Sequence, residues 1–446
     1  MSLRTLLVAA LLVVAGCAAP AAPPAADSDP SASDRETMTA TAPSPPDSST
    51  SPDSPISPPS TTASATASTA SPQALAEKYD VRVAGGSLPV EYGLVFARVA
   101  VATDRPAVVP PSVVRLEPTE SMELGGAEYA EFYRLLGFRV SEDRERALTA
   151  AAYVATPETV VVNEAILADE ARTESTLAHE SVHVVQYRTD AFERLAGTAA
   201  APSGSTAERL LQAAIVEGAA TYVEGAYVRR YAPEAPSPTE SLRTRTADGS
   251  PAERLGVAPY LAGARYVDAR VSGPGEVGAV YDDPPRTAEE LLHDRPPGSE
   301  PVAPLTVRDA PEDGWTSDAD ATDTYGELFV RVTLETGVEE ATAADAAHGW
   351  GNDVRRRFVR ADGGGEGSAR TGYAWAIRFD DDANATAFAA AFETWREARP
   401  ANASRVRLER PAPETVVLLL GDERFVTRAT ASGSDGAVSV RVNGTE

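Results

Sequence analysis

Residues 177–186 read Leu177-Ala178-His179-Glu180-Ser181-Val182-His183-Val184-Val185-Gln186, an apolar helical pattern carrying two histidines four positions apart. On an α-helix such residues lie about 40° apart around the axis and about 6 Å along it, so both imidazoles can face one point. Glu180 stands between them. In the HExxH pattern two histidines bind a metal and the intervening glutamate works on the water beside it. The chain has only four histidines, which makes a chance pairing at this spacing uncommon. Catalytic zinc takes three protein ligands and keeps a fourth position open, so a third residue must come from elsewhere.

The next helical pattern offers one. Spacing of apolar positions predicts helices over Thr173–Leu195 and Thr206–Tyr231, with Thr173 and Ser205 or Thr206 as N-caps and Gly197 as a stop. Within the second, Glu217 lies in the apolar run Ile215-Val216-Glu217-Gly218-Ala219-Ala220. A carboxylate buried there is costly without a partner, and a metal supplies one. Glu224, seven residues on, shares the face and reads as part of a solvated stripe.

Outward from these helices the folded body begins near Ala74. Strands are expected at Leu94–Val101, Val113–Leu116, Leu148–Val154 and Thr159–Val162, with a short helix over Ala127–Leu136. After a Pro- and Gly-rich connector at 232–256, a mixed segment runs to about 352. The remainder reads as a strand (Tyr373–Phe379), a helix (Asn384–Arg396) and strands at Arg405–Leu408, Thr415–Leu420 and Ala437–Val442. Strands around paired helices make an α+β architecture, divided here into residues 74–352 and a C-terminal α+β portion, 353–446.

Composition constrains partners and place. Of 446 residues, 66 are acidic and 40 basic, giving a formal charge of -26. Phosphate binding needs clusters of Lys and Arg, so nucleic acid is an unsuitable partner. Lys78 is the single lysine, and acid-rich, lysine-poor surfaces suit salty surroundings, where charge is screened within about 3 Å at 1 M. Residues 1–16 have a charged start at Arg4, an apolar run from Leu6 to Val14 too short to span a bilayer, and small residues before Cys17. This resembles a lipoprotein signal peptide with the lipobox Val14-Ala15-Gly16-Cys17. The resemblance implies lipidation of Cys17 and attachment to the outer face of the cytoplasmic membrane. Residues 17–73 are dominated by Ala, Pro, Ser and Thr and read as a stalk with too little apolar surface to fold. Sequons occur at Asn384, Asn402 and Asn443, and Gly363–Gly367 reads as a loop.

The HExxH pattern with a downstream glutamate resembles the gluzincin branch of zinc metallopeptidases. More closely, the chain is similar to a group of secreted zincin-like proteins, through Ala178–Gln186, Val216–Ala220, Pro284–His293 and Ala346–Asp353 in that order. The resemblance implies a zincin-like body at 74–352 that hydrolyses a peptide or protein substrate. It also implies Zn2+ on His179, His183 and Glu217, with Glu180 as catalytic acid/base. Departures are Ala219, where the group has an aspartate that steadies the metal site, and Val354, where it has an arginine. Donors for a developing oxyanion would come from His293, Tyr222, Tyr227 or His348, with His293 first as a catalytic residue. The alternatives are a non-catalytic zincin-fold lipoprotein that binds a partner or the envelope, and a solute-binding lipoprotein.

Overall fold

A computed structural model describes residues 71–119, 131–138, 150–312, 314–361, 369–400 and 403–443. The signal peptide, Cys17, the stalk as far as residue 70, Ala127–Ala130, Leu148–Thr149, the loop Gly363–Gly367 and the sequons at Asn402 and Asn443 fall wholly or partly outside them. Among the described residues no helix is long and apolar enough to cross a membrane.

Four strands form the first sheet: β1 (Arg82–Ala84), β2 (Val113–Glu117), β3 (Ala152–Thr156) and β4 (Thr159–Asn163), in the order β1-β2-β4-β3. The sheet is mixed: β1, β2 and β4 run parallel, and β3 is antiparallel to β4. A parallel pair needs a crossover of a dozen or more residues, usually helical. That requirement overturns the expected strand at Leu94–Val101, which is the helix Tyr92–Ala102 linking β1 to β2. Its Val95, Phe96, Ala97, Val99 and Ala100 are all buried, and a run apolar on nearly every side carries no period by which strand and helix can be told apart.

The motif helix runs Glu170–Arg188, with Asp169 as its N-cap accepting from Arg172 N at 3.0 Å. Thr173 is therefore not the cap. Its hydroxyl sits inside the first turn and donates to Ile166 O and Asp169 O. The helix also stops before Leu195: Asp190 takes φ 54° and a separate short helix, Ala191–Leu195, follows, closed by Gly197 at φ 71°. The second helix is Thr206–Tyr231, capped by Ser205. The expected connector at 232–256 is instead largely helical, comprising Pro238–Asp248 and the start of Pro251–Arg270. Pro238 and Pro251 begin these helices, since Pro at the first helical position loses no bond and arrives with a suitable φ. A Ser250/Glu253 capping box fixes the longer helix.

That longer helix crosses the second helix with backbones nearly touching. An added Cβ at Gly263 would stand 1.7 Å from Ala214 O, and one at Gly218 would stand 2.2 Å from the Gly263 carbonyl carbon. The two helices, the motif helix and the first sheet share one core, built from Val160, Val162, Leu177, Val182, Ile215 and Tyr266 among others.

Farther along, β5 (Thr306–Pro311), β6 (Trp315–Asp323), β7 (Trp350–Ala361), β8 (Ala369–Phe379), β9 (Val406–Ala412), β10 (Thr415–Gly421), β11 (Ala429–Ser434) and β12 (Ala437–Val442) make two further sheets, ordered β6-β7-β8-β10-β9 and β11-β12-β5. The five-stranded sheet is antiparallel throughout. One face packs with the helices Glu327–Leu334 and Asp382–Glu397 around Phe132, Tyr325, Phe329 and Trp375. The other meets β12 through Val417, Leu419, Val438 and Val440. Covered on both faces, β10 buries every residue from Thr415 to Leu420. The strand β7 runs continuously through residue 352, where the sequence suggested a division. Asp353 on β7 is fully buried and accepts from Tyr325 N, Gly326 N, Trp350 Nε1 and Trp375 Nε1. Burial raises its carboxyl to about 6 against the opposing pull of these donors. The whole is α+β: a zincin-like body of mixed sheet and paired helices, followed by a C-terminal α+β region.

Candidate metal centre

The paired helices bring His179, His183 and Glu217 together with one ligand atom from each within 4.8 Å of the others, all three residues buried. His179 Nε2 and His183 Nε2 stand 3.4 and 3.2 Å from Glu217 Oε2. The imidazoles meet edge to face, with centroids 4.9 Å apart. Although close to the carboxylate, His183 Nε2 makes no hydrogen bond. Buried donors that converge in this way fit a divalent cation.

The outer ring nitrogens show how the site is oriented. Gln186 Nε2 donates to Val216 O at 2.8 Å and to Tyr281 Oη at 2.8 Å. A main-chain carbonyl can only accept, so the amide nitrogen faces Val216 and Oε1 faces His183 Nδ1, 2.6 Å away. His183 Nδ1 therefore carries a proton, which leaves Nε2, the atom facing Glu217, as the one available to a cation. On His179 the same office falls to Glu224, whose Oε2 lies 3.0 Å from Nδ1 while Oε1 accepts from Ser175 Oγ at 2.6 Å. Ligating histidines commonly hand their second ring N–H to a carboxylate or carbonyl in this manner.

Glu224 is thus not part of a solvated stripe. It lies two turns beyond Glu217 on the same face, close enough to reach the ring that Glu217 touches. It also supplies a carboxylate to a candidate ligand histidine in a chain that has Ala219 where the resemblance implies an aspartate. Glu224→Ala is expected to weaken metal binding about 10- to 100-fold with the fold retained. Competition titration against a coloured chelator measures this, and an unchanged affinity would remove Glu224 from the site.

Without a cation the cluster holds protons. Burial opposes charge on His179 and His183, but Glu217, and for His179 also Glu224, overcome it and raise both imidazoles above the ordinary histidine value. Burial would raise Glu217 as well, yet the two imidazoles hold it at about 2. Loading a cation must therefore displace protons from the rings.

Beside the triad lies a cleft of about 350 Å³ lined by His179, Glu180, Thr221, Glu224, Arg172 and Arg245, with Tyr260 stacked over His179 at 6.3 Å. Glu180 is 1 % exposed. The oxyanion donors suggested by the sequence do not line this cleft. His293 Nε2 pairs with Glu327 Oε1 at 2.7 Å, and its ring packs on His348. Tyr227 donates to Glu174 Oε1 at 2.7 Å, and Tyr222 packs against the first core. Arg245 and Tyr260, which also line the cleft, come from the Pro238–Asp248 and Pro251–Arg270 helices, the first of which falls where the sequence predicts a connector.

Residues 312–446 match the family model of a domain of unknown function (DUF8575). That segment begins just before β6 and excludes the metal centre. Neither the curated proteins nor the solved structures contain a match to the chain.

Proposed function

We propose that this chain is a zinc-dependent peptidase of gluzincin type, carried outside the cell on lipidated Cys17. The observation that supports it best is the pair of imidazoles whose Nδ1 atoms face acceptors and whose Nε2 atoms converge on Glu217, with Glu180 in the adjoining cleft. A zinc ion bound by His179, His183 and Glu217 would supply a Lewis acid for a carbonyl and an acidified water. The protein's own groups do the rest. Glu180 is placed to take a proton from water in the cleft and return it to the leaving amine. Tyr260 and Arg245 are the groups we assign to hold the substrate's carbonyl oxygen, in place of His293. Thr221 Oγ1 is buried beside the cleft and makes no hydrogen bond.

The experiment compares the full chain with a His179→Ala/His183→Ala variant for zinc content and for hydrolysis of a peptide library in high salt. The variant should hold one zinc fewer per chain and hydrolyse nothing. Equal zinc in the two proteins, with both folded, would falsify the metal centre. A lost zinc without hydrolysis by the parent points to a zincin-fold binding protein.

A further inference from the structure

The four histidines of the chain fall into two pairs, and only one pair belongs to the centre described above. His293 and His348 repeat its geometry: their rings meet at 76° with centroids 4.7 Å apart, against 76° and 4.9 Å for His179 and His183. Carboxylates again surround them. Glu327 is 1 % exposed, and its Oε1 faces His293 Nε2 at 2.7 Å while its buried Oε2 makes no hydrogen bond. Glu289 is 4 % exposed, and Glu327, Asp380 and Glu300 act on it as like charges, with Arg295 opposing them. Burial and these acids lift its carboxyl to about 8.

A buried carboxylate with one bare oxygen, close to a second acid, is costly unless a cation or a proton compensates. Arg295 is already engaged, pairing with Glu300 at 2.7 Å. We propose that Glu289, Glu327, His293 and His348 form a second site for one divalent cation of the zinc class. Mixed imidazole and carboxylate donors suit such an ion better than calcium, which takes oxygen alone. Among the described residues only the first triad has its donor atoms already within 4.8 Å. His348 is exposed, and completing the second site requires its ring to turn toward the carboxylates. Its donors come from the Ala288–Leu292 helix, the residue that follows it, the Glu327–Leu334 helix and the turn before β7. A cation there ties the helical body to the C-terminal sheet.

The test uses the full chain with the first centre removed by His179→Ala/His183→Ala, equilibrated with zinc, dialysed and analysed for metal. About one zinc per chain should remain, and zinc should raise the melting temperature. Adding Glu289→Gln and Glu327→Gln should abolish both effects. Because those buried changes can disturb folding, His348→Ala serves as a second probe: on the exposed flank, it should leave the fold intact and weaken zinc retention at least tenfold. A folded double variant that retains no zinc overturns the proposal, as does retention unaffected by His348→Ala. Greater stability of Glu289→Gln at neutral pH without any metal binding also overturns it, since a buried proton would then fill the place given to the cation.

Discussion

On the proposed function, Glu180→Gln is expected to leave the zinc content unchanged and to lower kcat/KM for peptide hydrolysis about 10²- to 10⁴-fold, the range over which a positioned general base contributes. The amide keeps the volume of a side chain that is almost wholly buried, so packing changes little. Neither the ligand atoms nor the Glu224 and Gln186 contacts involve it. The change removes the carboxylate's charge and its capacity to take a proton. Elemental analysis and steady-state kinetics on the same preparation make the comparison. Full activity would show that Glu180 handles no proton, whereas joint loss of zinc and activity would mean that its charge holds the site together.

Gly263→Ala is expected to destabilise the protein by about 3 kcal/mol or more, through overpacking between two helices. Helix propensity alone favours the opposite sign, since alanine is better than glycine by about 1 kcal/mol in a helix interior. Contact decides the matter. The new methyl would lie 1.7 Å from Ala214 O, a main-chain atom that cannot rotate away. The helices must part instead, and the second carries Glu217 while the other carries Tyr260. Metal affinity should therefore fall along with the melting temperature. A variant that melts higher than the parent would show that the crossing has slack the geometry does not suggest.

The converging triad was legible because it depends on local rules. His179 and His183 share a helical face through spacing alone, and Glu217 is conspicuous as an acid in an apolar run. Helix Thr206–Tyr231, strand β4 and the C-terminal alternation were similarly visible, each having a clear period or cap. What failed depended on long-range context. The Tyr92–Ala102 run is helical because β1 and β2 are parallel, a pairing between residues some thirty positions apart. Helices beginning at Pro238 and Pro251 were hidden by prolines whose meaning changes with position. Glu224 and Gln186 looked like ordinary polar residues because their partners, Ser175 and Val216, lie on the facing helix. His293 was drawn toward the metal cleft by its motif, whereas the fold places it with Glu327 and His348.

The contact between Gln186 and Val216 reaches beyond orientation of one ring. The carbonyl that fixes the Gln186 amide, and through it the proton on His183, belongs to the residue just before the ligand Glu217. One helix therefore sets both the third ligand and the tautomer of the second. Sliding it by a single residue, about 1.5 Å along its axis, would withdraw the carboxylate and release the amide together. The candidate metal centre would act as a gauge of helix register, able to take a cation only when the two helices are correctly seated.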